Sequence, residues 1–261
     1  LTTFDDIWHF DGGKVVKKIR PRSVVRIEAE YEGSVRTFYI KRHFRENPKP
    51  GLLSSFASSG PFSSQGVREY KNICDFRRSG LATVVPVASG EKRENRVKVN
   101  SFLITEDFSP FVSLEWLFFN CSRFFTGREG EVKKRILLEK IAGYAHRMHE
   151  AGFNHKDFNA THILLYYPPK TPIPEVAMFD LQRVDRRRLF RFKWPIKALA
   201  ELNFTLPENL FSIDERKRLY LDYRNQKSAD FFDQVRLLLI RRKTARIARH
   251  TEKIIRKRNS A

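Results

Sequence analysis

Two carboxylates stand at either end of a short apolar hairpin, and this arrangement constrains the chain more than any other. Asp157 lies in the run His155-Lys156-Asp157-Phe158-Asn159-Ala160-Thr161-His162, which leads into Ile163-Leu164-Leu165. Asp180 closes the apolar run Val176-Ala177-Met178-Phe179. Pro168, Pro169, Pro172 and Pro174 mark a turn between the two, so residues 162–167 and 176–179 are expected to pair as strands. Such pairing holds the two carboxylates in register. Upstream, Leu137, Ile141, Tyr144, Ala145 and Met148 form one helical stripe, and Gly152 supplies its stop just before the loop.

Phosphoryl transfer uses this kind of pair: one carboxylate near the attacking hydroxyl, another to hold Mg²⁺ between phosphates. The order resembles that of protein kinases, where H-R-D-L-x-x-x-N is followed by D-F-G. By position Asp157 takes the place of the base and Asp180 that of the metal ligand, with His155 beside the first. A lone His-x-Asp is more often a satisfied polar pair. The order of helix, His-x-Asp, hairpin and apolar-apolar-Asp is what sets this one apart.

With 261 residues the chain has room for one large domain or two packed lobes, and 41% hydrophobic content with 23 Phe argues for a folded protein. No apolar run reaches the roughly 20 residues that span a bilayer, and no secretory signal is read at the start. Cys74 and Cys121 fit neither a metal spacing nor a disulfide framework, and suit a reducing cytoplasm.

The expected fold class is α+β and bilobal, with an antiparallel sheet lobe carrying one helix (1–106) and a mainly helical lobe (107–261). Strands are expected at 14–19, 24–29, 36–41, 83–88 and 97–105, the first 42 residues being all sheet. The Ser-, Pro- and Gly-rich stretch 44–66 reads as a long mobile loop. A helix runs from about Gln65 to Ser79-Gly80, and a last helix covers about 230–258. Lys41, at a strand end, suits the α- and β-phosphates of ATP, and Glu69 on the next helix suits holding Lys41 in place.

At this point the residues resemble the lipopolysaccharide core heptose kinases, the WaaP-type branch of the Kdo/WaaP kinase family. The resemblance runs from about Phe38 to Phe204. It is carried by Ser101-Phe102-Leu103-Ile104-Thr105-Glu106, Asn154-His155-Lys156-Asp157, Phe179-Asp180-Leu181-Gln182-Arg183 and Lys197-Ala198-Leu199-Ala200-Glu201-Leu202. It implies phosphorylation of an inner-core heptose with ATP and Mg²⁺, on the cytoplasmic face of the inner membrane and peripheral to it. By the same carry-over Asp157 is the base, Asp180 the metal ligand, Lys41 the phosphate ligand, and backbone groups of Glu106 and Phe108 face adenine. An acidic acyl carrier protein is an implied associate.

The chain departs from protein kinases in three places. No G-x-G-x-x-G precedes the first turn, which leaves Lys14, Lys17 or Arg22 and backbone amides to grip phosphate. Position 162 is His, softer than Mg²⁺ prefers, so His162 is read as a metal ligand, an orienter of Asp157 or a phosphate ligand. Gln182 stands where D-F-G has Gly, which argues against an Asp180 that flips. The heptose kinases also carry Asp after the Lys of the last motif. Here the chain reads Lys197-Ala198; if that Asp braces the catalytic loop, its loss either lowers activity or moves the task to Glu201.

Charge speaks to the acceptor. The chain carries 50 Lys and Arg against 30 Asp and Glu, a net +20, which concentrates anionic partners. From Arg183 to Lys197 there are seven Lys or Arg against Asp185 alone. Arg183, Arg186, Arg187 and Arg188 are therefore the candidate acceptor contacts, suited to a lipopolysaccharide core oligosaccharide with its carboxylates and phosphates. Phe190, Phe192 and Trp194 interleave with them, for packing or for stacking on sugar. A basic last helix suits an anionic inner-membrane surface. Other readings are Kdo as acceptor, a small-molecule or protein kinase of the same fold, and a pseudokinase or nucleic-acid-binding module. Nucleic acid is not the expected partner.

Overall fold

The computed structural model describes residues 3–19, 21–31, 33–46, 64–94, 98–169, 171, 173–186 and 192–259. Two compact units divide the chain: Leu1–Ser109 together with Asp180–Val184, and Pro110–Phe179 together with Asp185–Ala261. The return of Asp180–Val184 to the first unit has no signal in composition or periodicity.

The first unit is built on an antiparallel sheet of β1 (Lys14–Ile19), β2 (Arg22–Tyr31), β3 (Ser34–Glu46), β4 (Pro86–Arg93) and β5 (Val99–Glu106), in the order β1-β2-β3-β5-β4. β2 and β3 pair in unbroken register from Arg22↔His43 to Tyr31↔Ser34, and Gly33 turns between them at φ 71. That positive φ is open to Gly at little cost. The strands run longer than their alternating cores suggest. Residues 44–46, expected in a loop, continue β3, and the fourth strand starts at Pro86 rather than Thr83. Residues 47–63 of the expected loop lie outside the described residues.

One helix stands where the sequence pattern predicts only sheet. α1 (Phe4–His9) starts with a Thr3/Asp6 capping box. Its six residues are too few to show a helical period against alternating sheet neighbours. α1 covers one sheet face, where Ile7 packs with Ile40, Phe102 and Ile104. The buried Arg42 donates to the carbonyls of Ile7 (2.8 Å) and Phe10 (2.6 Å), taking up acceptors at the α1 C-terminus. Because side chains alternate along a strand, Ile40 and Arg42 facing α1 put Lys41 and His43 on the other face.

That face belongs to α2 (Gln65–Arg78), which buries Gly66, Glu69, Asn72, Ile73 and Phe76. Its first N–H groups are capped by the sheet, since the Ser64 side chain makes no cap. Gln65 N–H donates to Glu46 Oε2 at 2.7 Å and Gly66 N–H to Ser101 Oγ at 3.1 Å, while Ser101 Oγ donates to Glu46 Oε1 at 2.6 Å. Ser64 N–H adds a bond to Glu91 Oε2 at 3.0 Å. The contact is close enough to need glycine: a Cβ on Gly66 would lie 2.6 Å from the Phe102 carbonyl oxygen.

The second unit is mainly helical. A small antiparallel sheet of β6 (Val112–Ser113), β8 (Ile163–Tyr166) and β9 (Glu175–Met178) is accompanied by α3 (Leu114–Asn120), α4 (Gly127–Glu150), α5 (Lys193–Thr205), α6 (Ile213–Tyr223) and α7 (Phe231–Asn259). The expected stripe on α4 is buried throughout, from Leu137 to Met148. Gly152, at φ 84, ends that helix in a left-handed turn. Its N–H donates to His149 O and that of Phe153 to Met148 O, both at 3.0 Å, the Schellman arrangement. The chain is thereby released into β7 (Asn154–His155) and the loop beyond.

Two buried histidines make the fold sensitive to acid. Burial holds His149 down at about 4, and its Nδ1 lies 2.9 Å from Tyr223 Oη. Burial, then the charges of Lys41 and Arg22, hold His43 down at about 3. Each is neutral when folded and protonates near 6.5 when unfolded, so stability is lost as pH falls below 6.5. The slope is about 1.4 kcal/mol per pH unit for each group. Urea titrations at about pH 7.5 and 5.5 are expected to show this loss, smaller in His149→Gln by about 1 kcal/mol. Equal losses in the variant and the wild type would remove His149 from the account.

Candidate active site

The first unit brings together three charges from distant parts of the chain. Lys41 Nζ lies 2.8 Å from Glu69 Oε2 and 2.8 Å from Asp180 Oδ1. Glu69 is almost wholly covered, its side chain 4% exposed, whereas Asp180 is 30% exposed. Burial pulls the Lys41 ammonium down, but the Glu69 and Asp180 carboxylates outweigh it and leave its pKa above the ordinary value. Burial pushes the Glu69 carboxyl up, and Lys41 draws it part of the way back. The result is a fixed ammonium whose buried partner steadies it and whose other partner still faces solvent.

α2 holds this cluster with one polar stripe. Gln65, Glu69 and Asn72 fall at i, i+4 and i+7, one face of a helix. Asn72 Nδ2 donates to Leu181 O at 2.7 Å, and Gln182 Nε2 donates to Gln65 Oε1. Asp180 itself sits in the left-handed region at φ 56, ψ 53, followed by a tight turn over Leu181–Arg183. Such a backbone costs a non-glycine residue energy, least for Asn and Asp. The ties from Gln65 and Asn72 hold it there. Gln182, where D-F-G has Gly, is thus a fastening point. Sequence reasoning singles out neither Gln65 nor Asn72, although their stripe with Glu69 is visible in it. It misses His43 as well.

Glu106 ends β5, and its backbone N–H donates to Val85 O at 3.0 Å. Phe108 follows just beyond that strand. Lys14 and Lys17 lie on the exposed strand β1. Arg22 pairs across from His43, and its charge bears on both His43 and Glu69.

The second unit carries the His-x-Asp loop. Asp157 is half-buried and its N–H donates to Nδ1 of the buried His155 at 3.2 Å. His162 Nδ1 donates to the Asp157 carbonyl at 3.0 Å. In that bond Nδ1 carries the proton, and the ring spans the loop. Asn159 Oδ1 accepts from the N–H groups of Thr161 (3.1 Å) and His162 (3.3 Å), closing the turn. Ala160 N–H donates to Thr205 Oγ1 at 2.9 Å, which ties the loop to the end of α5. Thr205 thus braces the loop, a role for which sequence reasoning considers Glu201 and not Thr205. Ala198 is fully buried in α5.

The basic strip is less uniform than its sequence. Arg183 is exposed at the end of the tight turn. Arg186 stacks its guanidinium 4.8 Å from the Phe153 ring centre. Arg187 and Arg188 lie outside the described residues, as does Phe190. Trp194 is buried beside His149, whereas Phe192 is exposed.

Among the described residues no group of three or more His, Cys, Asp and Glu side chains could enclose a metal ion. Mg²⁺ does not require one, since it is commonly held by one or two carboxylates, phosphates and water. A partly exposed Asp180 beside the Lys41 ammonium fits that mode.

These features define a phosphotransferase of protein-kinase-like fold. Residues 6–223 match the model of the lipopolysaccharide kinase (Kdo/WaaP) family, and the chain belongs to that family. Lipopolysaccharide core heptose(I) kinase WaaP of Escherichia coli is 30% identical over 195 residues, 74% of this chain and 71% of that protein. The protein of the same name from Pseudomonas aeruginosa is 29% identical over 197 residues, 74% of this chain and 70% of its own length. Among solved structures, WaaP in complex with acyl carrier protein superposes with a TM-score of 0.69 at 24% identity, covering 93% of this chain and 91% of that one. The BubR1 kinase domain gives 0.52 at 13% identity, over 95% and 83%.

Proposed function

We propose that this chain transfers the γ-phosphoryl group of ATP to a hydroxyl of an inner-core heptose of lipopolysaccharide. The observation that carries the reading is the Lys41 ammonium held between Glu69 and Asp180, in a chain whose curated relatives are heptose(I) kinases. Lys41 neutralises phosphate oxygens of ATP, and Glu69 keeps it in position. Asp180 would hold Mg²⁺, which when bound would offset phosphate charge. Asp157 accepts the proton as the sugar oxygen bonds to the γ-phosphorus and the bond to the leaving ADP oxygen breaks. His155 and His162 position Asp157 through its backbone. The Glu106 carbonyl and Phe108 backbone serve adenine, and Arg183 and Arg186 serve the anionic acceptor.

An acceptor linked to lipid places the enzyme at the cytoplasmic face of the inner membrane, peripheral to it. Among the described residues no helix is long and apolar enough to cross a membrane. Acyl carrier protein is a further proposed partner, supported by the neighbour solved with it and by the net charge of +20.

The test is transfer of label from γ-labelled ATP to a panel of acceptors: heptose-containing core lacking its phosphates, Kdo-terminated core, an aminoglycoside and a basic protein. Mg²⁺-dependent labelling of the heptose core above the others is expected. Labelling of Kdo-terminated core alone would move the acceptor, and salt-dependent RNA binding without turnover would favour a binding module.

A further inference from the structure

The final helix exposes large apolar side chains as well as basic ones. At about 100° per residue, Asp233, Ile240 and Thr244 share one side of α7, and that side is fastened to the fold. Asp233 is wholly buried and accepts from Tyr220 Oη at 2.6 Å, with Arg236 and Arg224 at 3.2 and 3.4 Å. Ile240 is 2% exposed, and Thr244 Oγ1 donates to Ala200 O at 3.3 Å. These contacts fix the rotation of the helix.

The opposite side therefore faces solvent, and its first turns are apolar. Phe231 is 76% exposed and Phe232 67%, and Val235, Leu238 and Leu239 are exposed with them. Further along the same side come Arg242, Arg246, Arg249 and Lys253, all exposed. From Arg236 to Arg258 the helix carries ten Lys or Arg against Glu252 alone. A merely solvated helix spreads acidic residues among so many basic ones and leaves few large apolar side chains outside. α7 also lies beyond residues 6–223, the part matched by the family.

We infer that this face of α7 seats the protein on a bilayer of anionic lipid. The aromatic turns enter the headgroup boundary, and the basic turns lie against the phosphates. With an apolar patch and a basic patch in line on one exposed side, burial of apolar area and attraction to anionic lipid act at the same surface. Charge complementarity selects the occupant, because anionic headgroups supply the negative charge that the helix lacks. The inference deepens the lipid-linked acceptor proposed above, yet its test needs neither ATP nor acceptor.

Co-sedimentation of the full chain with vesicles of phosphatidylcholine, with and without phosphatidylglycerol, gives that test. Binding is expected only with phosphatidylglycerol. Each Lys or Arg near such a surface raises partitioning about fivefold. R242Q/R246Q/R249Q/K253Q should thus bind on the order of several hundredfold more weakly at low salt, with a flattened salt dependence. F231S/F232S should lose roughly tenfold or more, and the loss should persist at high salt. All six side chains are exposed, so both variants should keep the wild-type melting temperature and nucleotide affinity. Vesicle binding that survives both variants would overturn the inference. So would poly-glutamate binding as tight as vesicle binding and indifferent to the Phe pair, which would assign the face to an acidic protein. A wild type that binds vesicles but transfers no phosphate would fault the kinase reading alone.

Discussion

Replacing Asp157 with Ala is expected to lower phosphoryl transfer by about 10²–10⁴-fold, the range a positioned base contributes, while nucleotide binding is kept. The separation follows from where the contacts lie. Lys41, Glu69 and Asp180 are assembled within the first unit, so the proposed nucleotide contacts do not depend on Asp157. The loop around residue 157 is also held by other groups, through Asn159, His162 N–H and Thr205. Its shape should survive loss of one carboxylate. Asp157→Asn, of equal size, should fall with Ala if the carboxylate acts as a base. Rates close to wild type in either variant, with ATP affinity unchanged, would exclude that role.

Asp180→Ala should fail differently. It removes the proposed Mg²⁺ ligand and one of the two carboxylates on Lys41, and it places Ala at φ 56, where Ala is strained. Transfer is expected to fall on the order of 10²–10³-fold, as when a group stabilising transition-state charge is lost. Mg²⁺-ATP affinity should fall with it. Asp180→Asn separates charge from backbone, because Asn tolerates that conformation and still offers Lys41 an oxygen. The Asn variant should lose metal dependence as the Ala variant does, while melting close to wild type. A wild-type Mg²⁺ response in the Asn variant would make Asp180 a purely structural partner of Lys41.

The parts legible in the sequence are those written in local pattern. The α4 stripe, the Gly152 stop, the paired strands around 163–166 and 175–178 and the extent of α2 all follow from periodicity and punctuation. Lys41 and Glu69 emerge from their order relative to Asp157 and Asp180. What stays hidden depends on contacts between distant residues. No local rule gives the α2 cap to Glu46 and Ser101, nor says that Gln182 will be fastened to Gln65. The same holds for Thr205, whose hydroxyl reaches a loop far upstream in sequence. α1 is hidden for another reason: so short a helix between charged residues shows no period. Composition shows that α7 mixes large apolar with basic residues, but which side faces outward follows only from the burial of Asp233 and Ile240.

The central claim is that this chain places phosphate on heptose, and the position of the phosphate in the product tests it most directly. Purified protein, ATP and Mg²⁺ would be incubated with core oligosaccharide lacking inner-core phosphate, and the product followed by ³¹P NMR and fragment mass spectrometry. A single new phosphomonoester on a heptose, absent with the Asp157→Ala variant, is the predicted result. A product phosphorylated only on Kdo, or heptose left unmodified while ATP binds normally, would contradict it.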